Sequence, residues 1–351
     1  MIRVLIVDDS AFMRRAISRV LDADPGITVV GTARNGQQSV ELAKSLKPDV
    51  VTMDVEMPVM DGLTALKVIM HECPTHVIMV SSLTTEGSDA ALNAMKLGAV
   101  DVFAKDSPSV TSDIVSMQKD LVARVKALGG SRRFKQRPAQ LGTSCAVSMA
   151  PRFVKGQFDL VCIGSSTGGP PVLEEIVCGC PGELSIPVIV AQHMPTVFTA
   201  SMAKRLDRLA GLHVVHGEHR MELQGGTVYI APGGQHTHVE RSAGNNLTLK
   251  MSDKPDDASY RPSVDVLFST STLAVNGRAL GIILTGMGSD GARGAQELVK
   301  AGGVVLTQSE ETCVVYGMPK AVDQAGVSKA SLPPARIVES LRTLVPTRAA
   351  A

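Results

Sequence analysis

The chain is 351 residues long, enough for two domains of ordinary size, and its 35 Lys and Arg nearly cancel its 34 Asp and Glu. That balance points away from nucleic acid and anionic membrane as main partners, and the absence of tryptophan argues against stacking platforms for single strands. The longest apolar runs, such as 187–191, are too short to span a bilayer, and two acids close the first run of "MIRVLIVDDS", which argues against a secretion signal.

Residues 1–128 alternate apolar runs (4–7, 29–32, 50–53, 77–80, 100–103) with helical patterns (11–21, 37–45, 63–71, 88–97, 111–128). Strands alternating with helices predict βαβ units and a parallel sheet covered on both faces, here a single doubly wound domain. Between 121 and 158 there is no acidic residue, while Arg124, Lys126, Arg132, Arg133, Lys135, Arg137, Arg152 and Lys155 are basic. Gly129, Gly130, Pro138, Gly142 and Pro151 interrupt any period there, so 126–157 reads as a solvated basic linker after a helix.

From Asp159 a second alternating region begins, with strand-like runs at 160–163, 188–191, 214–216, 228–230, 247–251, 280–284 and 304–307. Helical patterns fall at 171–177, 198–209, 264–274 and 292–301. Closely spaced strands between 213 and 251, with Gly225-Gly226 and Gly233-Gly234 as turns, predict hairpins inserted in the α/β pattern. The 6 cysteines form no framework: Cys162 and Cys313 read as core thiols, and Cys178-x-Cys180 as a helix end.

In a parallel sheet, functional residues collect at the carboxyl ends of strands. In the first region those ends carry Asp8 and Asp9, Asp54, Ser81 and Lys105. Three carboxylates on neighbouring strand ends repel one another unless a divalent cation sits among them, and such oxygen ligands suit Mg²⁺. A hydroxyl and an ammonium on flanking strands would then hold a phosphoryl group placed on one carboxylate as an acyl phosphate. Each residue alone has an ordinary reading as cap, turn or loop charge; all of them in order on successive strands do not.

"VLIVDDSAFMR", "MDVEMPVMDGL", "VSS" and Lys105 resemble a two-component response-regulator receiver over about residues 1–125. The resemblance implies a flavodoxin-like (βα)5 fold. It also implies Asp54 as phosphoacceptor, Asp8, Asp9 and Asp54 around Mg²⁺, Ser81 as switch hydroxyl and Lys105 as phosphoryl-binding lysine. Two positions depart from the receiver pattern: Asp106 stands where a proline usually follows the lysine, and Val102 where an aromatic residue is common.

The second region opens with "IGSSTGGPP" (163–171), a turn between a predicted strand and a helix that Pro170-Pro171 can start. Its glycines could cradle a phosphate at a helix N-terminus, or Gly164-x-Ser166-x-Gly168 could be an elbow that exposes a serine hydroxyl. Neither P-loop nor dinucleotide spacing is present. A serine nucleophile needs a base and an orienting acid. His193 follows the run 188–191, and Asp290 follows 280–284 in a glycine-rich turn, so both fall on the predicted rim of Ser166. Singly, His193 reads as a buried imidazole and Asp290 as an N-cap of the helix after it. The order Ser, His, Asp differs from that of α/β-hydrolases. The histidines 213, 216 and 219, or 236 with 238, lack a clear set of partner ligands for a metal.

"IGSSTGGP", "AQHMP", "RPSVDVLF", "ILTGMGSDGA" and "VYGMPKAV" are similar to the catalytic domain of the chemotaxis protein-glutamate methylesterase family, CheB, over about 158–345. The resemblance implies a doubly wound α/β domain with a mainly parallel sheet, Ser166 as nucleophile, His193 as base and then acid, and Asp290 as its orienting residue. Thr167 and Met287 match positions lining that site, and His236 lies in a segment near it. It further implies γ-glutamyl methyl esters of chemoreceptors as substrates, glutamine deamidation as a second activity, a histidine kinase as phosphodonor, a cytoplasmic location, and no cofactor in the esterase site. The expected domains are thus 1–125, a linker at 126–157, and 158–345. Three other classes fit the sequence less well: a phosphorylation-dependent receptor-binding scaffold with a degenerate hydrolase domain, a nucleotide-dependent enzyme, and a DNA-binding output domain, for which no helix-turn-helix is discernible.

Overall fold

The computed structural model describes residues 1–81, 84–104, 112–130 and 149–345. They divide into two units, Met1–Thr143 and Ser144–Ala351.

The first unit runs β1 (Ile2–Val7), α1 (Ala11–Asp22), β2 (Ile27–Ala33), α2 (Gly36–Leu46), β3 (Val50–Asp54), α3 (Gly62–Glu72), β4 (His76–Ser81), α4 (Thr85–Lys96), β5 (Asp101–Ala104) and α5 (Ser112–Gly129). Its sheet is parallel in the order β2-β1-β3-β4-β5, the flavodoxin-like arrangement. β3 and β4 are buried along their whole length, as continuous apolar runs require in a sheet covered on both faces. Four helices start where Ser10, Asn35, Asp61 and Thr84 accept a backbone N–H of the first turn. Arg124 fixes α5 to the sheet by pairing with the buried Asp101 at 2.5 Å and with Asp120 at 2.9 Å. α5 runs on into the stretch expected to be linker.

The second unit continues with β6 (Leu160–Ser165), α6 (Gly169–Gly179), β7 (Val188–Gln192), α7 (Thr196–Leu209), β8 (His213–His216), β9 (Thr227–Ile230), β10 (His236–Arg241), β11 (Leu247–Ser252) and α8 (Val264–Ala274). It closes with β12 (Ala279–Ile283), α9 (Ala292–Lys300), β13 (Val304–Gln308), the short α10 (Met318–Gln324), β14 (Ala330–Leu332) and α11 (Pro334–Arg342). Seven strands form one parallel sheet in the order β14-β13-β12-β6-β7-β9-β8. From β6 the chain fills one side and then returns to β12 on the other, so the strand order reverses at the middle of the sheet. Crevices form at such a reversal, at the carboxyl ends of the strands.

The hairpin differs from expectation in its turn. β10 and β11 pair antiparallel as a separate ribbon turning at 242–246, where Asn245 is left-handed. β8 and β9, by contrast, lie parallel. The two Gly-Gly pairs are therefore not hairpin turns but points of close backbone approach. A Cβ on Gly225 would lie 2.0 Å from the Ser185 carbonyl oxygen, and one on Gly233 2.1 Å from that of Met194.

The core around the crevice centres on Phe268 of α8, which is fully buried. A Cβ on Gly281 of β12 would come within 2.6 Å of its ring, and one on Gly294 of α9 within 2.6 Å of its own Cβ. These glycines let strand and helix close around it. Among the described residues no helix is long and apolar enough to cross a membrane. Phe268→Ala is expected to destabilise the second unit by about 3–5 kcal/mol, because the tightly packed site cannot collapse. Urea unfolding followed by far-UV circular dichroism checks this; a loss below about 1 kcal/mol would mean the core relaxes around the cavity.

Candidate functional sites

In the first unit, β1 and β3 are neighbours with Val7 opposite Met53, which brings Asp8 and Asp9 to the end of the strand that carries Asp54. One ligand oxygen from each of Asp8, Asp9 and Asp54 lies within 4.8 Å of the others. Asp8 and Asp54 are buried and Asp9 is exposed, so the cluster opens to solvent on one side. Ser81, at the end of β4 beside β3, is buried and donates to the Gly87 carbonyl at 3.1 Å. A cavity of about 500 Å³ is lined by Asp9, Asp54, Val55, Glu56, Met57, Pro58 and Ser81. Glu56 was not singled out in the sequence, although an acid two residues beyond Asp54 was the available signal. Lys105 and Asp106 lie outside the described residues, and Val102 is buried on β5. The donor set of the cluster, all carboxylate oxygens, fits a hard divalent cation such as Mg²⁺. Among the described residues no other group of His, Cys, Asp and Glu side chains converges in this way.

In the second unit, Ser166, His193 and Asp290 follow β6, β7 and β12, three adjacent strands. The main chain of Ser166 is held from both sides: its N–H donates to the Thr285 carbonyl at 3.0 Å, and its carbonyl accepts from Gln192 Nε2 at 2.9 Å. Gln192 in turn accepts from the Ser165 hydroxyl. Ser166 is 5% exposed. It does not itself take the left-handed conformation; Gly168 does, with φ 77° as N-cap of α6. The turn is therefore relaxed at the serine and bent two residues later, unlike a strained elbow on the nucleophile.

His193 Nε2 meets Asp290 Oδ2 at 2.9 Å. Its other ring nitrogen, Nδ1, is buried with no hydrogen-bond partner, and Tyr260 stacks on the imidazole with centroids 4.2 Å apart and planes within 10°. Asp290 does not take the ordinary role of capping its own helix, for Gly291 is the N-cap of α9. Asp290 instead caps α8, accepting from Ser263 Oγ (2.9 Å), Val264 N–H (2.7 Å) and Asp265 N–H (3.0 Å). Burial alone would raise its pKa, but the His193 hydrogen bond and charge and the two α8 amides outweigh that and hold it below its usual value.

Thr167 is buried in the turn after β6, its carbonyl accepting from Thr285 Oγ1 at 3.0 Å. Met287 is half-buried in the turn after β12. His236 is fully enclosed; its Nδ1 accepts from Ser263 N–H at 3.3 Å and its Nε2 meets the Pro255 carbonyl at 3.1 Å, so it supports the site from behind instead of facing a ligand. Tyr260, Ser263, Asp265 and Gln192 escaped the sequence reading. Their only signal was membership of "RPSVDVLF" and "AQHMP" or closeness to them. Cys162, Cys180 and Cys313 are buried, and burial pushes each thiol up to about 12, as inert core thiols require.

Because the Asp290 pKa is depressed on folding, its contribution is fully present above its ordinary value of 3.8 and is lost as pH falls through the folded value. The stability gap between wild type and Asp290→Asn should accordingly hold down to about pH 5 and shrink below it as pH falls through the folded value. Urea titrations at each pH measure it, and a constant gap contradicts the assignment.

Residues 161–341 match the family model described as CheB methylesterase, and 4–116 match that of the response regulator receiver domain. A protein of Oleidesulfovibrio alaskensis named protein-glutamate methylesterase/protein-glutamine glutaminase 1 is 46% identical, covering 93% of this chain and 95% of its own. A like-named protein of Geobacillus kaustophilus is 43% identical over 98% of this chain and 99% of its own. The crystal structure of the Thermotoga maritima CheB methylesterase catalytic domain covers 54% of this chain and 99% of its own at 39% identity, with a TM-score of 0.52. A receiver followed by this second domain, matched along nearly the whole chain by such relatives, places the protein in the CheB methylesterase family.

Proposed function

We propose that this chain is a phosphorylation-controlled serine hydrolase. It demethylates γ-glutamyl methyl esters on the cytoplasmic parts of chemoreceptors and deamidates glutamines of the same proteins. Receiver, linker and catalytic domain occupy 1–125, 126–157 and 158–345, and a histidine kinase in the cytoplasm supplies the phosphoryl group. One observation carries the reading. His193 is locked to Asp290 through Nε2 and offers a buried, unpartnered Nδ1 on the strand end next to Ser166.

In this reading Nε2 carries the ring proton toward Asp290, so Nδ1 is the basic nitrogen. Ser166 Oγ attacks the ester carbonyl carbon as Nδ1 takes its proton. The oxyanion is held by backbone N–H groups of the turns bearing Thr167 and Met287. The C–O bond to the methoxy group breaks, Nδ1–H protonates it, and methanol departs. Water then attacks the acyl-enzyme, giving its proton to Nδ1, and glutamate and free Ser166 are released. With a glutamine substrate ammonia leaves in place of methanol. Neither step needs a cofactor in the esterase site.

Asp54 is the phosphoacceptor, with Asp8, Asp9 and Asp54 as the residues that would hold Mg²⁺. When bound, the ion offsets the crowded carboxylates and the charge of an incoming phosphoryl group. Ser81 and Lys105 bind the phosphoryl oxygens, and the new charge at Asp54 shifts the enzyme toward an accessible serine site.

Methanol release from methylated receptor should fall by ~10⁴ or more in Ser166→Ala, and equal rates in the two proteins would reduce the second unit to a binding module. A small phosphodonor with Mg²⁺ should raise the rate of wild type and leave Asp54→Asn at its basal rate; full stimulation of Asp54→Asn would remove the regulatory role.

A further inference from the structure

We infer that Asp265 is a positioning residue of the serine site: it holds the start of α9, and with it the turn that presents Asp290 to His193. The inference rests on the hydrolase reading above.

Two helices cap each other crosswise at this point. Asp290, just before α9, accepts the first amides of α8. Asp265, in the first turn of α8, accepts the first amides of α9 through a single oxygen: Gly291 N–H at 2.9 Å and Gly294 N–H at 2.8 Å both reach Oδ1. Neither carboxylate serves its own helix. Each fixes the start of the other, and the Asp265 N–H itself donates to Asp290 Oδ1 at 3.0 Å. A movement of Asp265 is therefore transmitted to Asp290 from both ends of the exchange.

The same geometry sets the charge at Asp265. Asp265 is surrounded by donors, since beyond the two amides its Oδ2 faces Arg293 Nε at 3.7 Å. Donors of this kind favour the carboxylate over the acid. Burial foremost, and then the charge of Asp290, raise the Asp265 pKa, while the Gly294 and Gly291 amides and Arg293 act against them. Asp257, Tyr260 and Arg293 line the same cavity as Asp265 and Asp290, and Tyr260 also stacks on His193. A charged acceptor holds amide donors more firmly than a neutral one, so the exchange is tightest with Asp265 ionised.

The test separates charge from shape. Asparagine at 265 keeps an oxygen that can accept both amides and discards the charge, whereas alanine discards both. Methanol release from methylated receptor by the full-length enzyme is read as separate kcat and KM values. Asp265→Asn, which keeps the acceptor, should hold kcat within about threefold of wild type. Asp265→Ala should lower kcat about tenfold or more with KM little changed, and reduce the melting temperature. Arg293→Ala should leave both constants near wild type, because Arg293 is largely exposed and faces Asp265 only at 3.7 Å. A loss of kcat in the alanine variant that asparagine rescues supports the inference. An Asp265→Ala enzyme with wild-type kcat, or an Asp265→Asn enzyme as impaired as Asp265→Ala, overturns it. Should Asp265→Ala not fold, Asp265→Ser takes its place. Ser166→Ala run in parallel keeps the two claims apart: if it matches wild type, the hydrolase reading itself has failed.

Discussion

Asp290 is the fixed point of the serine rim. Four donors from two separate places reach one carboxylate: the imidazole after β7, and the hydroxyl and two amides at the start of α8. They set both its position and its charge, because a protonated acid would forfeit at least one of them. The chain must bring β12 to one side of β6 and β7 to the other before this can happen, which is what the reversal of strand order in the second sheet achieves. Residues far apart in sequence thus meet because the sheet was filled outward from its middle.

The two units use aspartate for opposite purposes on similar scaffolds. Asp8, Asp9 and Asp54 converge on one another at neighbouring strand ends beside an open cavity, an arrangement that suits cationic and phosphoryl ligands. Asp290 is enclosed by donors of its own chain and turned toward a single histidine. What differs is where backbone N–H groups point. At the serine site the first amides of α8 and α9 are already occupied by carboxylates of the chain. The glycine-rich turn after β6 holds a serine, with Gly168 providing the bend.

Much of this was legible in the sequence, because the central strands are fully buried and read as uninterrupted apolar runs. β6, β7 and β12 each declared themselves, together with the polar residue that follows. β10 did not: "HTHVER" breaks the apolar pattern with two histidines, an acid and an arginine, as a strand paired on one side only can tolerate. β14 is three residues long, too short for any period to register. The glycine pairs misled because glycine also serves where two main chains touch, and sequence does not distinguish that need from a turn. The residues around the triad were hidden for a related reason. Ser263 and Asp265 look like the start of α8, which Ser263 does cap, and only the tertiary packing of α8 on α9 redirects Asp265 to the amides of α9.

Gln192 illustrates how narrowly such a support can be specified. Its amide accepts from one serine hydroxyl and donates to the carbonyl of the next residue, so a single side chain must offer both polarities at once. A glutamate there could only accept in its charged form, a lysine could only donate, and a leucine of similar bulk would leave both serine groups unsatisfied inside the protein. Position 192 therefore filters substitutions by hydrogen-bond polarity, with size a secondary criterion. Drift at that position is closed to most of the side chains that would fit the space.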